Sequence, residues 1–259
     1  MSVLNSGIDQ IIIWLLVFCR TTGIFSVAPV FGNTHVPMHT RIGLAACLAF
    51  IFTPLVSAGH AAPLTDLIGL TFAIVRESAV GLAIGFVGML MFMVVQSAAE
   101  LIDLQMGLGF ASLVDPNNQR SSVVGQFYYI VATLIFLSVN AHHMLLEGLA
   151  DSFTTIPLGH MTFNPASTGT IVNVFNHMFV AAIKIAGPIV GVILLTDVAL
   201  GILARTVPQL NVLVVGFPAK IFVGLATIIV AMPAVIVVMH GLFSNLYGDI
   251  HVLSRALVR

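Results

Sequence analysis

The stretch SAVGLAIGFVGMLMFMVV, residues 78–95, carries no charge and approaches the roughly 20 residues that a helix needs to cross a bilayer core. Across the 259 residues, 59% are hydrophobic and 7% are charged, whereas soluble domains have about 25% charged residues. Apolar segments that read as helices lie at 11–31, 42–58, 67–95, 123–139, 171–204 and 212–243. The sequence therefore predicts an all-α protein of the membrane class.

Charged residues interrupt several of these apolar segments. They are Arg20 in the first segment, Arg76 and Glu77 in the third, and Lys184 and Asp197 in the fifth. A charge at membrane depth is costly unless it faces protein or water. For Arg76 and Glu77 we favour shorter helices that leave both charges at the membrane interface. For Lys184 and Asp197, an interior position and an interfacial position both stay open.

Two pairs of glycines have the spacing of a helix-packing motif. GLAIG at 81–85 and GPIVG at 187–191 both place two glycines on one helix face. Such a face lets another backbone approach closely. The pattern predicts tight helix packing. Contacts between helices of this same chain would be sufficient to explain it.

A run of polar residues follows the clearest apolar segment. Gln96, Glu100, Asp103 and Gly107 fall on one helix face as the third helix leaves its apolar part. The face could line a water-filled passage. We favour a solvated helix end.

The sequence offers little for catalysis or for metal and nucleic-acid binding. HExxH, GxSxG and P-loop motifs are absent. His143 and Glu147 share a helix face beside His142, but a metal site needs a further convergent ligand. Net charge is −1 and the basic residues are scattered, which argues against nucleic acid as a partner. We expect a non-enzymatic protein with no metal and no cofactor.

The most polar segment of the centre, GFASLVDPNNQRSS at 109–122, separates two apolar segments. Glycines at its start weaken helix continuation, and a proline disfavours helix at the residue before it. Large apolar groups then stand on a loop, as they would in a plug across a pore; a turn that joins two helices is the plainer alternative. The candidate plug residues are Gly107, Gly109, Phe110, Leu113, Val114, Asp115 and Pro116.

Two long motifs stand in order along the chain. The first is GLGFASLVDPNNQRSS at 107–122, followed by apolar sequence and FLSVNAHHMLLEGLADSFTTIPLG at 136–159, and the second is DVALGILARTVPQLNVLVVGFPAKIFVG at 197–224. Both motifs resemble the FliR family of flagellar biosynthetic proteins. Matching positions in the second motif are Arg205, Pro208, Gln209, Asn211, Gly216, Phe217, Pro218 and Gly224. One small departure is Ala141, which stands where the family commonly has glycine.

The resemblance implies a structural subunit of the flagellar type III export gate. Residues 1–165 would be similar to a FliP-like helical body, and residues 166–259 to a FliQ-like helical hairpin with a tail. The implied partners are FliP and FliQ subunits, FlhB, FlhA and the exported flagellar proteins. The implied location is the flagellar basal body in the bacterial inner membrane. Residues 107–122 would match the plug loop. The residues that would pack subunits together are Arg205, Pro208, Gln209, Asn211, Gly216, Phe217 and Pro218.

Other functions remain as alternatives. An independent small-molecule or ion transporter would predict inverted repeats, and the two halves show no convincing internal repeat. The homologous export gate of injectisomes shares the fold. An intramembrane protease would need a GxGD pair or a serine motif, which we do not find.

Overall fold

The computed structural model describes residues 2–29, 32, 36–57, 67–108, 122–161, 168–207 and 211–258. Within these ranges the regular elements are helices and no strand occurs, so the prediction of an all-α protein is confirmed. The helices are α1 (Ser2–Val27), α2 (Met38–Ser57), α3 (Leu67–Met106), α4 (Val123–Ser138), α5 (Ala141–Thr155), α6 (Thr168–Thr206), α7 (Val212–Ser244) and α8 (Leu246–Ala256).

Several described helices have the length and composition of membrane spans. Five stretches qualify: Asp9–Val27, Met38–Val56, Leu67–Met106, Val172–Thr206 and Val214–Ala256. Helices α4 and α5 qualify together as a sixth, although the chain bends by 62° between them. The membrane class predicted from composition is therefore confirmed.

The bend between α4 and α5 has a local cause. Asn140 adopts a left-handed conformation with a φ of 56°, which asparagine tolerates better than most residues. Ala141 is the first residue of α5 and is fully buried. The positive φ falls on Asn140, so alanine is accommodated at 141 in an ordinary helical position.

Helix α3 is longer than its apolar pattern indicated. It runs without a break for 40 residues, beyond the apolar segment that ends at 95 and through the polar face that begins at Gln96. The expectation of a shorter helix at Arg76 and Glu77 was therefore wrong, and their position at the membrane interface stays a prediction. Arg76 is exposed and donates to the Gly159 carbonyl at 2.8 Å, whereas Glu77 is buried in protein.

The chain divides into two compact units. The first comprises Met1–Leu90, Asn140–Phe175 and Ser244–Arg259, and the second comprises Met91–Val139 and Asn176–Phe243. Each unit takes segments from both sides of residue 165. The division into a FliP-like part and a FliQ-like part concerns a family relationship, and it stays a prediction.

Close packing of α1 on α3 organises the first unit. A Cβ atom added to Gly81 would lie 2.0 Å from the Arg20 carbonyl oxygen, and one added to Gly85 would lie 2.9 Å from the Ile24 oxygen. The predicted tight packing at 81–85 is therefore confirmed. At Gly187 and Gly191, an added Cβ would meet no described atom within 4 Å.

An aromatic cluster forms part of the core of the second unit. The Phe92 ring lies at centroid distances of 5.7 Å from Tyr129, 5.4 Å from Phe136 and 5.2 Å from Phe243. These rings come from α3, α4 and α7. Such tilted and edge contacts are the favoured arrangements of aromatic rings, so the cluster ties the three helices together.

Candidate functional site

The C-terminal end of α3 lies directly before the candidate plug segment and is closed by glycine. Gly107 has a φ of +83°, which strains residues that carry a Cβ. The Leu108 N–H donates to the Asp103 carbonyl at 3.0 Å, and the Gly107 N–H donates to the Leu104 carbonyl at 3.2 Å. This pair of bonds is the Schellman motif, which satisfies carbonyls at a helix end.

Helix α7 packs against this helix end. A Cβ atom at Gly107 would lie 2.5 Å from Phe217 Cδ1, so the ring occupies the space that a side chain would need. In the converse contact, a Cβ at Gly224 would lie 2.8 Å from Met106 side-chain atoms. Two large groups therefore fit against two glycines. The contact brings together Gly107 of the candidate plug set and Phe217 of the candidate packing set.

The far side of the candidate plug segment is fixed by the start of α4. Ser122 is the N-cap residue, and its Oγ accepts from the Gly125 N–H at 2.8 Å. The Asp103 carboxylate accepts from the Ser122 hydroxyl and from the Val124 N–H, the latter at 3.3 Å. A carboxylate at a helix N-terminus also interacts favourably with the helix dipole.

Asp103 thus bonds both flanks of residues 109–121. Its backbone carbonyl accepts from Leu108, and its side chain accepts from Ser122. The expectation of a solvated helix end was wrong for Asp103, which is buried, while Gln96 and Glu100 on the same helix face are exposed. The serine directly before an apolar helix could have predicted the N-cap. The local pattern could not predict its partner Asp103, because the two residues are 19 positions apart.

The remaining candidate residues have varied settings. Arg205 is exposed in the last turn of α6, and Asn211 is exposed, with its carbonyl accepting from the Val214 N–H at 3.0 Å. Gly216 is buried and Pro218 is exposed, both within α7. Eight candidates lie outside the described residues: Gly109, Phe110, Leu113, Val114, Asp115, Pro116, Pro208 and Gln209. The plug and packing roles therefore stay predictions.

A buried ion pair in the first unit was missed by the sequence reasoning. Arg20 Nε lies 2.6 Å from Glu77 Oε2, and both side chains are buried. The same guanidinium donates to the carbonyl of Ser152 at 2.9 Å and to that of Ile156 at 3.0 Å. Glu77 Oε1 accepts from the Gly159 N–H at 2.9 Å. The signal that could have revealed the pair was opposite charge in two apolar segments.

This ion pair fastens three parts of the first unit. Arg20 is on α1 and Glu77 is on α3. The carbonyls that accept hydrogen bonds from Arg20 belong to Ser152 and Ile156, in the last turn of α5 and just beyond it. Arginine near a helix C-terminus can bond its unpaired carbonyls. The Arg20 guanidinium also lies 4.5 Å from the centre of the Phe153 ring. The polar groups here are engaged in connecting helices.

Metal ligands do not cluster in the described part of the chain. No three side chains of His, Cys, Asp or Glu come together there as a metal site would require. The rings of His142 and His143 lie 4.3 Å apart, and Asp151 accepts a hydrogen bond from the Tyr247 hydroxyl.

Known proteins resemble the chain over almost its whole length. The family described as bacterial export proteins, family 1, matches residues 11–246. The flagellar biosynthetic protein FliR of Bacillus subtilis strain 168 is 40% identical over 246 residues, covering 93% of this chain and 94% of the relative. FliR of Escherichia coli K12 is 31% identical over 245 residues, covering 93% of both chains. FliR of Pectobacterium carotovorum is 31% identical over 231 residues, covering 89% of this chain and 88% of the relative. The chain therefore belongs to the FliR family of bacterial export proteins.

Proposed function

We propose that this protein is a structural and gating subunit of the flagellar type III export gate, through which unfolded flagellar proteins cross the bacterial inner membrane at the basal body. The observation that carries the proposal is the likeness to FliR across 93% of the chain. This likeness favours a flagellar export component over an independent transporter of small molecules or ions. The proposed role is mechanical and non-enzymatic.

Exposed apolar surface supports a role within an assembly. Of the apolar stretch of α2, 11% is buried inside the protein, against 50% for that of α3. Large apolar side chains such as Phe50, Ile51 and Leu55 are exposed on α2. Surface of this kind requires lipid or other subunits around it. The proposed neighbours are FliP and FliQ subunits, with FlhB and FlhA as further partners.

Contacts with α3, α4 and α7 hold the residues on either side of the candidate plug segment. Asp103 bonds both of its flanks, and Phe217 packs against Gly107 at its start. In this proposal, the apolar side chains of residues 109–121 seal the export channel, and α3, α4 and α7 hold the segment in place. The exposed residues of the second motif, such as Arg205 and Pro218, contact neighbouring subunits.

Coexpression with FliP and FliQ tests the assembly role. Tagged full-length chain would be purified in detergent and examined by native mass spectrometry, with the chain expressed alone as the control. We expect a discrete mixed complex that contains one copy of this chain. Recovery of the chain only as a homo-oligomer, even when its proposed partners are present, would contradict the proposal.

Deletion of residues 110–116 tests the plug role. We expect the complex to assemble with the shortened chain and the cells to leak small solutes, because the apolar groups of the seal are gone. The matched control is the same deletion in cells without FliP and FliQ, where we expect no leak. An intact permeability barrier around an assembled complex would argue against the plug.

A further inference from the structure

Lys184 carries a charge inside a membrane-length helix. It lies on α6, twelve residues from the start of the candidate span Val172–Thr206, which corresponds to about 18 Å along the helix axis. Its side chain is exposed, and no ion pair or hydrogen bond reaches it from the described part of the chain. The charges within α1, α3, α6 and α7 that do pair are Arg20 with Glu77 and Asp197 with Lys220.

The face of α6 that carries Lys184 is exposed and mostly apolar. Within two turns on either side of Lys184, helical spacing places six neighbours within about 60° around the axis: His177, Val180, Ala181, Gly187, Pro188 and Gly191. Five of them are exposed and Ala181 is half-buried, and Leu195 and Val198 continue the exposed face. The lysine therefore projects from a mostly apolar surface.

Space for a close neighbour exists beside the lysine. A Cβ atom at Gly187 or Gly191 would meet no described atom within 4 Å. The same glycine spacing at Gly81 and Gly85 is filled, because α1 backbone atoms lie 2.0 Å and 2.9 Å from the added Cβ positions. In the first unit, α1 packs closely against the glycines of α3. No part of the described chain packs in this way against the glycines of α6.

The chemistry of the missing neighbour follows from the charge. An ammonium group on an apolar helix face loses its water when lipid or another helix covers that face, and an uncompensated charge there is costly. A carboxylate would compensate the charge, and a helix could approach closely at the two glycines. We propose that this face of α6 binds an apolar helix of another export-gate subunit that places an aspartate or glutamate against Lys184.

This inference rests on the proposed function, because a neighbouring helix requires an assembly. The test uses the full-length tagged chain in membranes that contain the other export proteins, and it measures recovery of the mixed complex. We expect K184R to assemble normally, K184M to lower recovery about tenfold or more, and K184E to lower it further, because each of the last two leaves the partner carboxylate unpaired. Normal recovery with K184M would overturn the inference while leaving the proposed function intact.

A charge swap identifies the partner. It also distinguishes a lost contact from a folding defect of the single variants, because a change in another subunit restores only the contact. Restored motility would be selected in cells that carry K184E. We expect the restoring changes to replace an aspartate or glutamate in an apolar helix of another subunit by a basic or neutral residue. Restoring changes confined to this chain would overturn the inference, as would photo-crosslinks from position 180 to lipid instead of protein. Failure of the wild-type chain to form any mixed complex would instead refute the proposed function.

Discussion

The two ion pairs in the described part of the chain lie in different surroundings. In the first unit, Arg20 and Glu77 are 0% and 1% exposed and are fully engaged with neighbouring carbonyls and N–H groups. In the second unit, Lys220 on α7 and Asp197 on α6 are 22% and 36% exposed. Arg20 and Glu77 are therefore satisfied by groups of the first unit, whereas the pair between α6 and α7 leaves charge at the surface of membrane-length helices. The comparison indicates that α6 and α7 depend more on their surroundings.

The largest expected effect comes from breaking the buried pair. Glu77→Ala leaves the Arg20 cation buried and unpaired, so we expect it to lower the free energy of unfolding by about 3–5 kcal/mol. Asp197→Ala breaks a pair that is less buried, so we expect a smaller loss than for Glu77→Ala. Thermal unfolding of the detergent-purified chain measures both.

A double substitution serves as the control for this comparison. Arg20→Met with Glu77→Met removes both charges and keeps side-chain volume, so we expect it to recover much of the stability that Glu77→Ala loses. Equal losses for Glu77→Ala and Asp197→Ala would show that the two pairs do not differ in the way their burial indicates.

The next largest effect compares the two glycine motifs. Gly81→Ala forces a Cβ against the Arg20 backbone, so we expect a loss of about 1–3 kcal/mol. Gly187→Ala meets open space, and the better helix propensity of alanine should stabilise the isolated chain by up to about 1 kcal/mol. The unfolding temperatures of the two purified variants, each compared with that of the unchanged chain, measure these effects. Similar losses at both positions would mean that Gly187 is also packed within the chain.

These contrasts explain how far the sequence could predict the fold. The apolar segments and the membrane class follow from composition, and the structure confirms both. The spacing of glycines predicts a close approach but carries no information about what approaches, so 81–85 and 187–191 look alike until α1 is placed. Glu77 was misjudged because its partner Arg20 is 57 residues away.

The candidate site shows the same limit. The motif residues Gly107 and Phe217 were selected for different roles, and their contact appears only once α7 packs on the end of α3. The turn signals around Gly107 were readable, because a glycine at a helix end is a local feature. The bonds of Asp103 to both flanks of residues 109–121 depend on where α4 begins, which the local pattern did not connect to α3.

The left-handed conformation of Gly107 makes a substitution there costly. Gly107→Ala places a Cβ in the left-handed region at a cost of about 1–2 kcal/mol, and the new atom would also meet the Phe217 ring. Gly224→Ala is the matched control, because its obstacle is the flexible Met106 side chain, which can shift. We expect the larger loss of thermal stability at Gly107. A larger loss at Gly224 would mean that α7 fits the end of α3 less rigidly than the contact with Phe217 indicates.

The smallest effect tests whether the N-cap at the start of α4 holds the flank of residues 109–121. Ser122→Ala removes the cap and the donor to Asp103, so we expect a loss of about 1 kcal/mol and faster proteolysis within 109–121. Ser254→Ala is the matched control, because the Ser254 hydroxyl is buried on α8 without a hydrogen-bond partner among the described residues. Removing that hydroxyl deletes an unsatisfied polar group, so stability should be unchanged or slightly higher. If both serines proved equally dispensable, the Ser122 hydroxyl would not be fixing the flank, and the side chain of Asp103 would be bonded to α4 only through the Val124 N–H.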